Sequence, residues 1–537
     1  MISDQLRDEV EEWINHDPDK KTAKQLSDWL KEGNSKELER CFSGFLQFGT
    51  AGLRGPIGPG PSCMNRAVVS RTATGIVEFM KKNHLTSVVI GRDARHGSDQ
   101  FSQDSAEIFS GAGIKTYVMP RALPTPVLAF AINKLKVDVG IMVTASHNPA
   151  SDNGYKVYLG GKVNAVSYRG SQIIPPVDVE ISNLIAHANK NPKRSQDFHT
   201  VDESVIDDYI DSVAALATAT NNLKVVYTPL HGVGAATFIE VFKRAKFAPP
   251  VLVSEQAAPD PYFPTTPFPN PEESGSMDLA LKYAKANNAD VVIANDPDAD
   301  RCAIAIVNPQ GQWQVLRGDE VGVLIGDYLI KKSSTSNLAI ANSLVSSSLL
   351  GKIANKHGLK FEETLTGFKW ISKIDNLLFG YEEALGYCVD PKNVNDKDGI
   401  SAAVVLIKIV SELRASNQSI FDYLEKIGNE YGFHRTDQIS IRVTNLHEID
   451  ELLKRVTTSP PQTLLNNALK SSENLSESKV MPTTGVRLNY ENGIRAIIRP
   501  SGTEAKLKCY LEVISSNKDE AENLVSQIKQ ALTKVLS

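Results

Sequence analysis

The feature that most constrains the fold is a repeated alternation of short β-branched runs with segments of helical periodicity. Each run ends in a polar or glycine-containing loop, and five of the runs cover residues 87–90, 137–143, 223–227, 291–294 and 338–341. This alternation predicts repeated βα units and parallel or mixed sheets. Ligands of such sheets bind at the carboxyl ends of the strands, so functional residues are expected in the loops that follow these runs.

The chain is long enough for several such sheets. It has 537 residues, and at about 100–200 residues per domain this length predicts about three or four domains. We expect a helical extension at residues 1–45 and four domains at residues 46–205, 206–318, 319–440 and 441–537, the first three built from similar α/β units. The Ser-, Asn- and Pro-rich segment 457–484 is expected to be a surface excursion of the last domain.

The composition argues against several classes of protein. Lys and Arg total 58 and Asp and Glu total 63, which gives a net charge of −5. This balance argues against nucleic acid or an anionic membrane surface as a partner. The chain is 41% hydrophobic and 23% charged, as soluble globular proteins are. Its longest apolar stretches, such as 402–407, are far shorter than the ~20 residues that cross a bilayer.

The cysteines predict no disulfide framework and no zinc cluster. There are five, without any C-x-x-C pair: Cys41, Cys63, Cys302, Cys388 and Cys509. Residues 1–10 are acidic and helical in pattern, and they lack the basic and apolar regions of a secretion signal. We therefore expect a reducing, cytoplasmic location.

Three aspartates directly follow the apolar run 291–294. Asp296, Asp298 and Asp300 alternate with other residues, and on an extended backbone this spacing places their carboxylates on one face. Like charges at close range repel unless a cation lies between them, which predicts a hard divalent metal. Arg301 and Val307 stand where a calcium loop of the EF-hand type needs Gly and Glu. A solvated acidic turn is the less favoured alternative.

The loop 144–149, T-A-S-H-N-P, also follows an apolar run and presents the hydroxyl of Ser146. Thr144 and Asn148 stand where a hydrolase nucleophile elbow has glycines, so that interpretation is disfavoured. By itself the loop is equally consistent with a structural turn stabilised by its own Ser and Asn side chains. The nearby cation Lys156 favours a role in phosphate binding.

The segment 499–504, R-P-S-G-T-E, lies between two strand-like runs. Its arginine, hydroxyls and glycine-freed backbone N–H groups suit a phosphate, with Lys506 as a further charge. A capped hairpin turn is the alternative. The sequence contains no P-loop motif, and the glycines at 111 and 113 lack the third glycine of a dinucleotide-binding fingerprint.

Five motifs together resemble the α-D-phosphohexomutase superfamily, which includes phosphoglucomutases and phosphomannomutases. They occur in family order over residues 48–510 and are F-G-T-A-G-L-R-G at 48–55, T-A-S-H-N-P at 144–149, D-P-D-A-D-R at 296–301, G-Y-E-E-A-L-G at 380–386 and R-P-S-G-T-E at 499–504. The resemblance implies an α/β fold of four domains around a central cleft, with three similar mixed-sheet domains and a smaller α+β phosphate-binding domain at the C-terminus.

The resemblance also implies roles for individual residues. Ser146 corresponds to the phosphorylated serine, whose phosphate completes a Mg²⁺ site on the three aspartates, and Glu382 to the acid that binds sugar hydroxyls. Positively charged active-site positions fall on Arg54, Lys156 and Arg301. The clamp for the distal phosphate falls on Arg499, Ser501, Gly502, Thr503 and Lys506.

The sugar-binding motif departs from the common G-E-x-S-G form. Tyr381, Ala384 and Leu385 replace its first glycine, its serine and its last glycine. The E-E-A-L-G form is similar to the branch that contains phosphopentomutase-like phosphoglucomutases and bacterial proteins called phosphomannomutases. Glucose, mannose and ribose phosphates therefore all remain candidate substrates.

The implied reaction moves phosphate between the C1 and terminal hydroxyls of a sugar through phospho-Ser146 and a sugar 1,6-bisphosphate. His147, Lys156 and Lys397 are the candidate general bases. A metal-dependent sugar phosphatase is an alternative, although Asp300 stands where that class has Thr or Val. We expect small-molecule sugar phosphates as partners and leave open whether the chain is a monomer or a dimer.

Overall fold

The computed structural model of the chain describes residues 2–49, 52–217, 222–335, 337–443, 446–500 and 506–536. The described residues confirm the α/β class, since helices alternate with strands through most of the chain. The chain divides into two compact units, one of residues 1–316 with 386–411 and the other of residues 317–385 with 412–537. No helix in the described ranges is long and apolar enough to span a membrane.

The helices are α1 (Asp4–His16), α2 (Lys20–Glu32), α3 (Ser35–Cys41), α4 (Arg66–Lys82), α5 (Ser98–Gly111), α6 (Thr125–Leu135), α7 (Val177–Ala186), α8 (Glu203–Ala214), α9 (Gly234–Arg244), α10 (Ser254–Ala257), α11 (Asp278–Asn287), α12 (Gly318–Lys332), α13 (Leu349–Lys356), α14 (Phe368–Ile371), α15 (Gly399–Ala415), α16 (Ile420–Tyr431), α17 (Leu446–Thr458) and α18 (Lys518–Leu536), with a 3₁₀ turn at Leu475–Glu477.

The strands are β1 (Gly52–Pro56), β2 (Ser87–Arg92), β3 (Lys115–Val118), β4 (Val139–Val143), β5 (Asp152–Leu159), β6 (Lys162–Val163), β7 (Val166–Ser167), β8 (Ser171–Gln172), β9 (His199–Thr200), β10 (Val225–Thr228), β11 (Val251–Leu252), β12 (Val291–Ala294), β13 (Ala303–Val307), β14 (Trp313–Val315), β15 (Ala339–Ser343), β16 (Lys360–Thr364), β17 (Leu377–Glu382), β18 (Gly386–Cys388), β19 (Phe433–Arg442), β20 (Thr463–Leu464), β21 (Asn467–Asn474), β22 (Val486–Tyr490), β23 (Arg495–Pro500) and β24 (Lys506–Ser515).

The first unit contains two mixed sheets. One has the order β1-β5-β4-β2-β3-β9, and its strands β2, β3 and β4 run parallel whereas β5 is antiparallel to both β4 and β1. The other has the order β11-β10-β12-β13-β14, with β10 and β12 parallel. Every residue of β4 and of β12 is buried, which explains their uninterrupted apolar sequences. The carboxyl ends of these two strands lead into the loops of Ser146 and of the three aspartates.

The helical N-terminal extension has a small core of its own. Helices α1, α2 and α3 pack around Val10, Leu26 and Leu38, which are fully buried. The start of each helix carries a side-chain cap: Ser3 accepts a hydrogen bond from the amide of Leu6, Asp19 from that of Lys21 and Asn34 from that of Glu37. Within the segment 1–10, for which the sequence predicts a helix, α1 begins at Asp4.

The second unit contains a parallel arrangement β16-β15-β17 and a larger antiparallel sheet of order β19-β24-β23-β22-β21-β20. Helix α18 packs on β19 and β24 of the larger sheet. The prediction of a surface excursion at 457–484 is wrong in part, because β21 hydrogen-bonds to β22 as a strand of this sheet. Most side chains of β21 are exposed, so its polar sequence resembles that of a loop.

Candidate active site

Ser146 lies in the loop between β4 and β5, with its side chain buried and its backbone in the left-handed region at φ 51°. Its amide donates to Thr144 Oγ1 over 2.9 Å. Its hydroxyl donates to Asp296 Oδ2 over 2.7 Å, and the hydroxyl oxygen lies 3.3 Å from His147 Nδ1. The predicted serine and the first predicted metal ligand are therefore in direct contact.

Arg95 holds this loop in place, a role that the sequence motifs did not reveal. One guanidinium nitrogen donates to the carbonyl oxygens of Ser146 and Asn148, each at 2.6 Å, and the other donates to that of Pro149 at 2.8 Å. Three carbonyls of one turn thus share one buried cation. The only sequence signal is that Arg95 follows the end of strand β2, at the same edge of the sheet.

Asp296, Asp298 and Asp300 are buried, and one carboxylate oxygen from each lies within 4.8 Å of the others. The prediction of an extended backbone is wrong here: the residues occupy a turn, with the amide of Ala299 donating to the carbonyl of Asp296 over 2.8 Å and Ala299 at φ 54°. The turn still brings the three carboxylates together. The alternating sequence predicted this proximity, but from an extended backbone.

Lys156 on β5 bridges two of these carboxylates. Its ammonium lies 2.7 Å from Asp298 Oδ2 and 2.9 Å from Asp300 Oδ2. Burial opposes the charged forms, but this pairing outweighs burial: it holds the pKa of both aspartates below the ordinary value and that of Lys156 above it. Thr125, at the start of α6, also donates to Asp298 Oδ2 over 2.5 Å and is a second residue that sequence reasoning missed.

Two features of the aspartate cluster fit a divalent cation. The Oδ1 atoms of Asp298 and Asp300 are buried and have no hydrogen-bond partner. Burial, and then the charges of Asp298 and Asp300, raise the pKa of Asp296, so its charged form would be stabilised by a further positive charge nearby. A hard cation with oxygen ligands would accept the two unpartnered oxygens and relieve the repulsion.

Further cations surround the cluster in the first unit. Lys397, in the loop before α15, has its ammonium 3.4 Å from Asp300 Oδ2. The guanidinium of Arg301 lies 3.1 Å from Glu272 and 3.5 Å from His147 Nε2. Arg54 lies on β1, opposite Gly154 of β5. Burial, followed by the charges of Arg301 and Arg54, lowers the pKa of His147.

The loop of Lys397 is fixed by a second buried network. Asp396 accepts hydrogen bonds from the hydroxyl of Tyr158 over 3.0 Å and from the amide of Lys397 over 2.8 Å. Asp398 accepts from the hydroxyl of Tyr209 over 3.0 Å and caps α15 at the amides of Ile400 and Ser401. This network keeps Lys397 beside Asp300.

In the second unit, one short loop connects the predicted sugar and phosphate residues. The amide of Gly367 donates to Glu382 Oε1 over 2.7 Å, and the side chain of Arg499 donates to the hydroxyl of Thr366. Arg499 Nε is buried without a hydrogen-bond partner. Lys506 is buried at the start of β24, whereas Ser501, Gly502 and Thr503 lie outside the described residues.

The chain matches the models of four protein domains along its length. These are phosphoglucomutase/phosphomannomutase alpha/beta/alpha domain I at residues 46–191, domain II at 207–309, domain III at 317–431 and the C-terminal domain at 439–531.

Individual proteins are similar over nearly the whole chain. A protein named probable phosphomannomutase from Haemophilus influenzae is 44% identical, over 88% of this chain and 98% of its own. The phosphopentomutase of Pongo abelii is 35% identical, over 99% of this chain and 95% of its own. The crystal structure of a phosphoglucomutase/phosphomannomutase family protein from Burkholderia thailandensis has a TM-score of 0.69 and 18% identity, covers 91% of this chain and 96% of its own, and shows similarity of fold.

Proposed function

Since the chain belongs to the phosphoglucomutase/phosphomannomutase family and is an intramolecular phosphotransferase, we propose that it interconverts the 1-phosphate and 6-phosphate of glucose or mannose through phospho-Ser146 and a sugar 1,6-bisphosphate. The contact that carries this proposal is the hydrogen bond of 2.7 Å between Ser146 Oγ and Asp296 Oδ2. This contact places a nucleophilic hydroxyl next to a carboxylate cluster that suits a cation. Phosphoryl transfer needs a nucleophile and a cation in the same place.

Ser146 is the carrier of the phosphoryl group in this proposal. Phospho-Ser146 gives its phosphoryl group to the free hydroxyl of a sugar monophosphate, and the bisphosphate then returns its other phosphoryl group to Ser146. The three hydrogen bonds from Arg95 to the loop carbonyls keep the serine oxygen at one position for both transfers. Fixed positioning of this kind supplies a large part of catalysis when two groups must meet in line.

Asp296, Asp298 and Asp300, with the phosphate on Ser146, are the residues that would hold Mg²⁺. When bound, Mg²⁺ would neutralise negative charge on the phosphoryl group during transfer. Lys156, Lys397 and Arg301 add positive charge around the same oxygens from the protein side, and Arg54 lies on the adjacent strand β1. Although the overall charge of the chain is negative, these positive side chains gather in one place. Their clustering supports a site for a multiply charged anion.

A base must also take the proton of the attacking hydroxyl. Lys156 and Lys397 both contact Asp300, whereas His147 contacts Ser146 Oγ through Nδ1. We therefore assign proton exchange with Ser146 itself to His147 and that of the sugar hydroxyl to Lys397, because the carboxylates of Asp298 and Asp300 outweigh burial and raise the pKa of the other candidate, Lys156, which favours its protonated form.

Glu382 and Arg499 would bind the remainder of the substrate. In this proposal Glu382 accepts hydrogen bonds from sugar hydroxyls, and Arg499 with Ser501, Gly502, Thr503 and Lys506 binds the phosphate that does not react. The buried, unpartnered Nε of Arg499 supports this role. Binding energy from that distant phosphate then serves to align the reacting end.

A pentose phosphate is the second candidate substrate. The phosphopentomutase of Pongo abelii is 35% identical over 99% of this chain, and Ala384 lacks the hydroxyl that many family members have in the sugar-binding motif. In that case the reaction joins ribose 1-phosphate and ribose 5-phosphate, with the same phosphoserine chemistry.

The test combines product analysis with intact mass. Purified protein is given glucose 1-phosphate, Mg²⁺ and catalytic glucose 1,6-bisphosphate, and we expect glucose 6-phosphate to form without release of inorganic phosphate. The bisphosphate alone should add the mass of one phosphoryl group, which peptide analysis should locate on Ser146. Stoichiometric release of phosphate would instead establish a phosphatase, and phosphorylation at another residue would refute the assignment of Ser146.

A further inference from the structure

A cleft lies beside the N-terminal helices in the first unit. It has a volume of about 680 Å³ and is lined on one side by α1 and on the other by the start of α4, the segment after α3 and the segment after α7. None of the predicted catalytic or metal residues of this unit is among the described lining residues. This volume is within the range of roughly 300–1,000 Å³ that small-molecule sites occupy.

Three aromatic side chains form the apolar part of the cleft. Trp13 comes from α1, and Phe42 and Phe45 follow α3. The rings of Trp13 and Phe42 pack edge to face, with centroids 6.1 Å apart. The side chain of Phe45 is 56% exposed, an unusual exposure for so large an apolar group. A planar ring placed against Phe45 would cover it and gain contact area.

Arg71, in the second turn of α4, provides a cation at the same place. Its guanidinium carbon lies 4.5 Å from the centroid of the Phe45 ring. One of its nitrogens donates to the carbonyl of Ala186 over 3.4 Å, and its Nε has no partner. Burial alone lowers the pKa of Arg71, since none of the carboxylates in the described ranges is close enough to raise it.

The other Lys and Arg side chains of the described lining are already neutralised. Lys190 forms an ion pair with Glu12. Arg194 pairs with Asp104 at 2.8 Å and with Glu107 at 3.1 Å. Among the Lys and Arg side chains of the described lining, Arg71 is therefore the one that remains to attract an anionic group. Its planar guanidinium suits a carboxylate or a phosphate.

The acidic side chains of the lining limit how much negative charge a ligand can carry. Glu9 accepts a hydrogen bond from Gln5, and Asp17 accepts from the amide of Asp19 and the hydroxyl of Thr22. These two carboxylates would repel a polyanion such as a nucleoside triphosphate. A ligand with one anionic group suits the cleft better.

We propose that this cleft binds a small molecule that carries a planar aromatic ring and a single anionic group. The ring lies against Phe45 and Trp13, and the anionic group pairs with the guanidinium of Arg71. An aromatic carboxylate and a nucleoside monophosphate both have this chemistry, and displacement experiments distinguish them.

The test uses the fluorescent probe 1-anilinonaphthalene-8-sulfonate, which has aromatic rings and one sulfonate. Full-length protein is titrated with the probe while saturating glucose 1-phosphate is present, so that binding in the proposed active site is suppressed. We expect saturable binding that Arg71→Met weakens by roughly tenfold or more, because a charge-assisted contact is lost while the aliphatic stem is largely kept. AMP and indole-3-acetate are then added as competitors, and the one that displaces the probe identifies the source of the ligand.

Two further variants make the result decisive. Arg121→Met removes an arginine that pairs with Glu203 away from the cleft, so probe binding should be unchanged. Ala67→Trp fills the cleft but keeps Arg71, so probe binding should be lost while turnover of sugar phosphate stays at the wild-type rate. Circular dichroism verifies that each variant is folded. Wild-type affinity in either Arg71→Met or Ala67→Trp would overturn the proposal.

Discussion

Ser146 is held from three sides by groups of the protein itself. Thr144 accepts a hydrogen bond from its amide, Arg95 donates to its carbonyl, and Asp296 accepts from its hydroxyl. Two of these contacts involve only the backbone of residue 146. Removal of the hydroxyl should therefore leave the left-handed turn intact, so a loss of activity in such a variant can be assigned to chemistry.

The first prediction follows from this arrangement. Ser146→Ala should keep the fold but lower turnover by about a thousandfold or more, as removal of a covalent nucleophile does in other enzymes. A coupled assay of glucose 6-phosphate formation measures the rate. Ser151→Ala is the matched control, since Ser151 is exposed in the same loop and its hydroxyl donates to the adjacent Asp152. A Ser146→Ala rate within tenfold of wild type would contradict the carrier role.

The second prediction concerns Asp298, whose Oδ1 is buried without a partner while its Oδ2 binds Lys156 and Thr125. Asp298→Asn replaces a charged ligand with a neutral amide, so we expect more Mg²⁺ to be needed for half-maximal rate and the maximal rate to fall. Rates measured over a series of Mg²⁺ concentrations test this. Asp290→Asn, at the other end of β12, is the control and should leave the Mg²⁺ dependence unchanged. If Asp298→Asn also leaves the Mg²⁺ dependence unchanged, the aspartate cluster has a structural role and does not bind the metal.

At the scale of elements, sequence pattern located the strands better than it described the turns between them. The run 291–294 coincides with β12, because four consecutive apolar residues between polar segments are typical of a buried strand. The turn after β12 was predicted as extended, yet Ala299 has φ 54° and its carbonyl accepts from the amide of Gly399. That contact joins residues a hundred positions apart, so local sequence carried no signal for the turn's shape.

The third prediction concerns the start of α15. Asp398 accepts hydrogen bonds from the amides of Ile400 and Ser401 and from Tyr209, yet burial raises its pKa to about 6. This pKa is higher than that of an aspartate in the unfolded chain, which is about 3.9. Asp398 therefore makes its whole contribution to the free energy of unfolding below pH 4, and this contribution is lost as the pH rises through 6. Asp398→Asn keeps an acceptor without ionising, so relative to wild type it should gain up to about 3 kcal/mol of stability between pH 4 and pH 7.

Thermal unfolding midpoints at pH 5 and pH 7.5 measure this difference. Asp202→Asn is the control, because Asp202 caps α8 at the amide of Ser204 but is exposed, and its hydrogen bonds lower its pKa. For Asp202 the carboxylate is the favoured form and is already ionised at pH 5, so the effect of its replacement should be the same at pH 5 and at pH 7.5. The expected result is a pH-dependent difference for Asp398→Asn and a pH-independent one for Asp202→Asn, and a difference for Asp398→Asn that is equal at the two pH values would contradict the role of burial.

At the scale of the whole molecule, the sequence could predict those site residues that belong to local motifs but not their distant supports. Arg95 contacts Ser146 across 51 positions, and Thr125 contacts Asp298 across 173. Neither residue is part of a motif, so only the folded chain shows its contact. The same is true of charge: a net charge of −5 gave no indication that Lys156 and Lys397 gather around Asp300.

In the proposed function, substrate preference depends on residues 380–386, the motif that the family resemblance assigns to sugar binding. Glu382 keeps its orientation through the amide of Gly367, 2.7 Å from Oε1, so Glu382→Ala should lower kcat/KM for every sugar phosphate. Ala384 provides no hydroxyl, and a neutral hydrogen bond contributes about 0.5–1.5 kcal/mol. Ala384→Ser should therefore change the ratio between sugars by about tenfold or less.

The fourth prediction is the order of substrates for the wild-type protein. With one fewer hydrogen bond to select an epimer, glucose 1-phosphate and mannose 1-phosphate should react with kcat/KM values within about tenfold of each other. Ribose 1-phosphate has a five-membered ring in place of the six-membered ring of the hexoses, so the distance between its C1 phosphate and its terminal hydroxyl differs, and it should align less well between Ser146 and Arg499 if the site fits a hexose. The values for all three substrates, measured on wild type, Glu382→Ala and Ala384→Ser, decide the matter. A wild-type preference for ribose 1-phosphate over both hexoses by more than about tenfold would identify the chain as a phosphopentomutase, while leaving the roles of Ser146 and the three aspartates unchanged.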